Sequence, residues 1–284
     1  MNASAFDVEV CGVRLHVVRE GQGTPVVALH GFTGACESLD GVAERLRDRH
    51  CVVRVDLVGH GASDAPRELA PYAIKACAAQ LDALCDVLGI GAPHWLGYSM
   101  GGRAALAVAA FHPARVRSLV LVGASAGLVH DDERAARVRD DEALAASIER
   151  DGIAPFVERW MALPLFASQA RLGAEALAAA RAQRLRNRPH GLANSLRGMG
   201  SGAQPPLHDA LERLAAPACF VAGAEDAKFR AIAAQLAAIS PSGESSVIEA
   251  AGHAVHLDAP DAFAALALDF FARAGASAPS RALP

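Results

Sequence analysis

The segment Gly97–Arg103, "GYSMGGR", sets a serine between glycines where the apolar run "HWL" gives way to an Ala-rich stretch. The spacing G-x-S-x-G, after a strand and before a helix, predicts a sharp turn with Ser99 at its apex. Larger side chains at Gly97 and Gly101 would collide with neighbouring backbone. Such a turn exposes the hydroxyl at a helix N-terminus, where free N–H groups favour developing negative charge. Arg103, four residues on, shares the helix face that the serine opens. A cation in a first helical turn opposes the macrodipole by about 0.3–1 kcal/mol, so its place here reads as a ligand for an anion. The plainer alternative is a side chain reaching to solvent.

Working outward, short apolar runs alternate with helix-length segments: "VEVCGV", "LHVVRE", "VVALHG", "CVVRVDL", "HWLGYS", "SLVLVG", "ACFVAG" and "SSVIEA". The first two lie close enough for an antiparallel hairpin through Cys11 and Gly12. The others carry the spacing of β-α-β units, so the expected fold is α/β, a mostly parallel sheet of about eight strands flanked by helices. Residues 125–202 hold no convincing strand and read as a helical cap inserted after the sixth strand, within a single domain spanning 1–284. Asp131 or Asp132 would cap its first helix, and Pro155, Pro164 and Pro189 would interrupt the rest. The tail 275–284 is small, Pro-containing and apolar-poor, and is expected to be disordered.

The chain of 284 residues is 52% hydrophobic and 20% charged, with a formal net charge of -4. That balance fits a globular enzyme and lacks the basic bias of a nucleic-acid binder. Neither a signal peptide nor a membrane-spanning run is visible, which makes the cytoplasm the expected location. Six cysteines are scattered without C-x-x-C pairing, so neither a metal site nor a disulfide framework is expected.

A nucleophilic serine needs a base, and the base an orienting carboxylate, in the chain order Ser, Asp or Glu, His. Asp226 in "GAEDAKF" and His253 in "AGHAVHLDAP" follow the seventh and eighth strands, at the carboxyl edge where open α/β sheets gather ligand groups. Alone, Asp226 would read as a loop-capping acid and His253 as a surface histidine; in order with Ser99 they read as a triad. Glu225 and His256 are near rivals. Gly123, Ser125 and Gly127 form a second G-x-S-x-G, but Ser125 leads into a loop, which places it at the site entrance instead. Asp56 and His60 read as holding a tight loop, while the amides of Phe32, after His30, and Met100 would face each other as an oxyanion site.

In order, "LHGFTG", "DLVGHGAS", "GYSMGGR", "GAEDAKF" and "AGHAVHLDAP" resemble the α/β-hydrolase fold over nearly the whole chain. One departure is Val58, where many relatives carry proline. Within that fold, "HGFTGACES", "GASAGL" with "ERAARVR", "ERWMALPLFAS", "RLRNRPHG" and "EDAKFRAIA" are similar to the 2-succinyl-6-hydroxy-2,4-cyclohexadiene-1-carboxylate synthases of menaquinone biosynthesis, the MenH family. The resemblance implies a lyase that needs no cofactor and no metal. It would eliminate pyruvate from 2-succinyl-5-enolpyruvyl-6-hydroxy-3-cyclohexene-1-carboxylate, a small polycarboxylate.

By the same resemblance, Arg137 and Arg186 occupy carboxylate-binding positions, Lys228 adds to them, and Tyr98, Trp160 and Phe166 line the pocket. Guanidinium groups suit that task because they grip carboxylates bidentately and keep their charge. Only Lys75 and Lys228 among 27 basic residues are lysine, so arginine counts alone carry little weight. For Trp160 and Phe166 plain core packing is an alternative. Two other functions stay open on the residues: a serine hydrolase acting on an ester, thioester or carbon–carbon bond, and a ligand receptor that retains the triad.

Overall fold

The computed structural model describes residues 3–276. Eight strands form one sheet: β1 (Ser4–Val10), β2 (Val13–Glu20), β3 (Thr24–Leu29), β4 (His50–Val55), β5 (His94–Tyr98), β6 (Ser118–Val122), β7 (Ala218–Gly223) and β8 (Gly243–Ile248). Their order is β1-β2-β4-β3-β5-β6-β7-β8. β2 runs antiparallel to both β1 and β4, and every other pair is parallel. The first hairpin turns through Cys11 (φ 50°) and Gly12 (φ 76°), both left-handed as a tight two-residue turn requires. The run "VEVCGV" therefore straddles this turn, and its strand begins further back, at Ser4.

The helices are α1 (Asp40–Leu46), α2 (Ile74–Val87), α3 (Met100–Phe111), α4 (Asp131–Asp151), α5 (Ile153–Met161), α6 (Ala174–Leu185), α7 (Pro189–Met199), α8 (His208–Glu212), α9 (Ala227–Ile239), α10 (Val255–Asp258) and α11 (Pro260–Ala276). Alternate residues of each strand feed opposite faces of the sheet. Val27 and Leu29 of β3 join Trp95, Leu119 and Phe220 in the core that includes α2 and α3. Val26 and Ala28 join Leu96, Val120 and Val221 in the core that includes α1 and α11. Burial on both faces explains why the central strands read as unbroken apolar runs.

Between β6 and β7 lie α4 to α8 and a 3-10 segment, Pro164–Leu172, with no strand. This inserted layer has its own apolar cluster, including Ile148, Phe156, Val157 and Leu192. His130, not Asp131 or Asp132, is the N-cap of α4; the acids occupy its first turn, where they still suit the helix dipole. Pro155 stands in the first turn of α5, and Pro189 opens α7 rather than merely ending the helix before it. Of the expected irregular tail, Gly275 and Ala276 close α11, and 277–284 lie outside the described residues. Among the described residues no helix is long and apolar enough to cross a membrane.

Candidate active site

Ser99 sits between β5 and α3 with φ 51° and ψ -109°. Strain of this kind costs on the order of 1–3 kcal/mol and persists only where packing imposes it. The glycines do so: a Cβ on Gly97 would lie 2.5 Å from the Gly101 carbonyl oxygen, and one on Gly101 would strike the Leu29 carbonyl. The strand and the helix thus approach backbone to backbone, which leaves the serine at the apex.

The loops after β7 and β8 bring the acid and the base to it. Asp226 caps α9, its Oδ1 accepting the Phe229 amide at 3.1 Å, while its Oδ2 accepts from His253 Nδ1 at 2.8 Å. His253 Nε2 is 3.2 Å from Ser99 Oγ. With Nδ1 engaged by the carboxylate, Nε2 is the nitrogen free to take the hydroxyl proton. Burial raises the Asp226 pKa, but the hydrogen bonds from His253 and Phe229 outweigh it, so the carboxyl lies below its ordinary value. The imidazole is buried among the rings of Phe229, Tyr98 and Phe166.

The rivals lie elsewhere. His256 is packed against Tyr98 at 4.4 Å, and burial, reinforced by the nearby His253, drives its pKa down to about 3. Glu225 is exposed and pairs with Arg171. Asp56 accepts the amides of Cys36 at 2.6 Å and Ala62 at 2.8 Å, an arrangement that ties two loops together. Ser125 lines the cavity without a helix behind it, and its flanking Gly123 answers a different need. A Cβ there would lie 2.7 Å from His253 Cε1.

Phe32 and Met100 both line the cavity beside Ser99. Met100 is the first residue of α3, so its amide has no intrahelical partner. Phe32 is the second residue of a turn closed by Gly34 N–H donating to Gly31 O at 2.9 Å. His30, missed in this role by the sequence reading, steadies that turn. Its Nε2 accepts the Leu57 amide at 3.0 Å, so Nδ1 carries the proton and donates to Gly31 O at 2.8 Å. Burial, the main influence on this ring, lowers its pKa and keeps it neutral.

Ser99 and His253 open into a cavity of about 820 Å³. Arg103, Arg137, Lys228, Tyr98, Trp160 and Phe166 all line it. Arg103 Nη1 donates to the Met199 carbonyl at 2.6 Å and to Gln204 Oε1 at 2.8 Å. Burial, with Arg137 adding repulsion, lowers its pKa to about 10, which leaves it charged at neutral pH. Arg137 donates from Nε to Asp141 at 2.8 Å, a buried carboxylate whose own pKa is raised by desolvation. Gln204 carries no local signature, since it meets Arg103 of α3 across 101 residues, whereas Arg137 and Asp141 pair at i,i+4 within α4.

Arg186 does not join this group. It is exposed, pairs with Glu37 and is absent from the cavity lining. The reason is helical phase: α6 ends at Leu185, and residues two apart face nearly opposite ways. Arg184 is the one turned inward, donating to its own helix at the Ala180 carbonyl at 2.8 Å.

The alpha/beta hydrolase fold family matches residues 24–260. A Bacillus subtilis (strain 168) protein provisionally named 2-succinyl-6-hydroxy-2,4-cyclohexadiene-1-carboxylate synthase is 39% identical over 91% of this chain and 95% of its own. The synthase of that name from Salmonella agona (strain SL483) is 34% identical over 84% and 90%. The structure of MenH from S. aureus superposes with a TM-score of 0.86 at 30% identity, covering 96% of this chain and 98% of the other. With the sheet order, the serine turn and these matches in agreement, the chain belongs to the α/β-hydrolase fold family and, within it, to the 2-succinyl-6-hydroxy-2,4-cyclohexadiene-1-carboxylate synthases.

Proposed function

We propose that the protein eliminates pyruvate from 2-succinyl-5-enolpyruvyl-6-hydroxy-3-cyclohexene-1-carboxylate. The observation that carries this reading is the shared cavity: Arg103 and Arg137 line the same space as Ser99 and His253. Two guanidinium groups there attract a multiply ionised acid, and pairing with it offsets the desolvation of Arg103. The inserted helices that bear Arg137 act as a cap over the reacting groups.

His253, oriented by Asp226, draws the proton of Ser99, and the serine oxygen removes a carbon-bound proton from the ring. The electron pair left behind at C2 forms a C2–C3 double bond, the existing C3–C4 double bond shifts to C4–C5, and the C5–oxygen bond to the enolpyruvyl group breaks. Pyruvate leaves as its enolate, which is then protonated. Charge developing on oxygen faces the amides of Phe32 and Met100, with Arg103 nearby. No covalent intermediate is needed.

Pyruvate release from this substrate by purified protein, followed through a coupled lactate dehydrogenase, tests the reading. Arg103→Ala is expected to lower kcat/KM for the polycarboxylate by roughly 10²-fold while hydrolysis of a short neutral ester changes only roughly twofold. Equal losses on both substrates would count against anion recognition by Arg103. The completeness of the triad favours a second reading, a serine hydrolase for a small anionic ester. A trapped acyl-enzyme together with no pyruvate release would select it.

A further inference from the structure

The residue following Phe32, like Ser99, has a positive φ that non-glycine residues rarely adopt. Thr33 has φ 69°, a region that costs a β-branched residue on the order of 1–3 kcal/mol. It is fully buried, and its own hydroxyl has no partner. Something outside the turn must hold it there.

Two amide side chains do so, one from α6 and one from the turn between α6 and α7. Gln183 Nε2 donates to the Thr33 carbonyl at 3.1 Å, and Asn187 Nδ2 donates to the same oxygen at 2.9 Å. Both side chains are buried, at 7% and 4% exposure. Each is also fixed by its own oxygen. Asn187 Oδ1 accepts the Gly61 amide at 3.0 Å, from the loop after β4, and Gln183 Oε1 accepts Ser38 Oγ at 3.3 Å. The Gly31 carbonyl, before Phe32, is held by His30, and the Thr33 carbonyl, after it, by Gln183 and Asn187.

We propose that Gln183 and Asn187 are positioning residues for the oxyanion site: by gripping the Thr33 carbonyl they hold the Phe32 amide where it meets developing negative charge. The inserted layer is then part of the catalytic framework as well as a cover. Preorganised donors of this kind act because they need no rearrangement as charge appears. The inference rests on the reading of Ser99 and its two amides, and it holds for elimination and for ester hydrolysis alike.

Asn187→Asp separates this role from simple packing. The variant retains the acceptor for Gly61 and the side-chain volume, but turns a carboxylate oxygen toward the Thr33 carbonyl. We expect kcat to fall by roughly 10- to 100-fold with KM changed by no more than roughly twofold, on both the polycarboxylate and a short ester. As pH falls below neutrality the introduced carboxyl gains a proton and can donate again, so the ratio of variant to parent kcat should rise. Gln183→Leu, which removes the other donor, should lower kcat in the same selective way and decides the matter if the first variant does not fold. Unchanged kcat in the folded variants, or losses in kcat and KM together with no recovery at lower pH, would overturn the proposal. The same kcat pattern on the ester with no pyruvate release would support it while refuting the elimination.

Discussion

Ser99→Ala lowers pyruvate elimination by on the order of 10⁴-fold, because the hydroxyl that His253 activates is the group that takes the ring proton. Alanine tolerates the turn no worse than serine does, so the folded structure should survive. KM should change little, since the guanidinium groups that hold the substrate are untouched. His253→Ala should cost about as much, and the double variant little more than either single one, since serine and imidazole act as one unit. Steady-state pyruvate release with all three variants checks this. A Ser99→Ala protein turning over near the parent rate would remove the serine from the mechanism. Losses that multiply in the double variant would instead mean that the two side chains act separately.

Acid should unfold the protein steeply, and the cause lies in three buried histidines. Burial drives His60, His94 and His256 down to about 3 from an ordinary value of 6.5. The folded chain thus keeps all three neutral where the unfolded chain protonates them. The unfolded state then binds more protons, so stability is fully present above pH 6.5 and is lost as pH falls toward 3. Three such groups give a slope of about 4 kcal/mol per pH unit once the unfolded histidines are protonated, against a total stability of about 5–15 kcal/mol for ordinary domains. Asp226, also depressed, acts in the same direction at lower pH. Urea midpoints measured across this range report the slope directly, and His94→Gln should reduce it by about one proton. A slope of one proton or less in the parent would show that these rings take up protons without unfolding.

The grouping of Ser99, Asp226 and His253 was legible because each follows a strand at the carboxyl edge of the sheet. Ser99 could be separated from Ser125 by the Ala-rich helix behind it, a local property that the folded turn expresses in its strained φ. Arg103 was readable by its phase relative to Ser99 on one helix. Arg186 was not, since the boundary of α6 decides which of two neighbouring arginines turns inward, and helix ends are poorly marked in an Ala- and Arg-rich run. Gln183, Asn187 and Gln204 were invisible for a deeper reason. Each is a polar residue in a segment that reads as a solvated face, and each gains its role by meeting a carbonyl or a guanidinium more than a hundred residues away. No periodicity encodes such a meeting.

The crowding of Gly123 against His253 accounts for the first glycine of the duplicated serine signature. The glycine there leaves a berth for the imidazole, and the serine two residues on inherits a catalytic-looking neighbourhood as a by-product. A pattern search through this chain therefore counts two nucleophile elbows, although the second is the negative space of the first one's base.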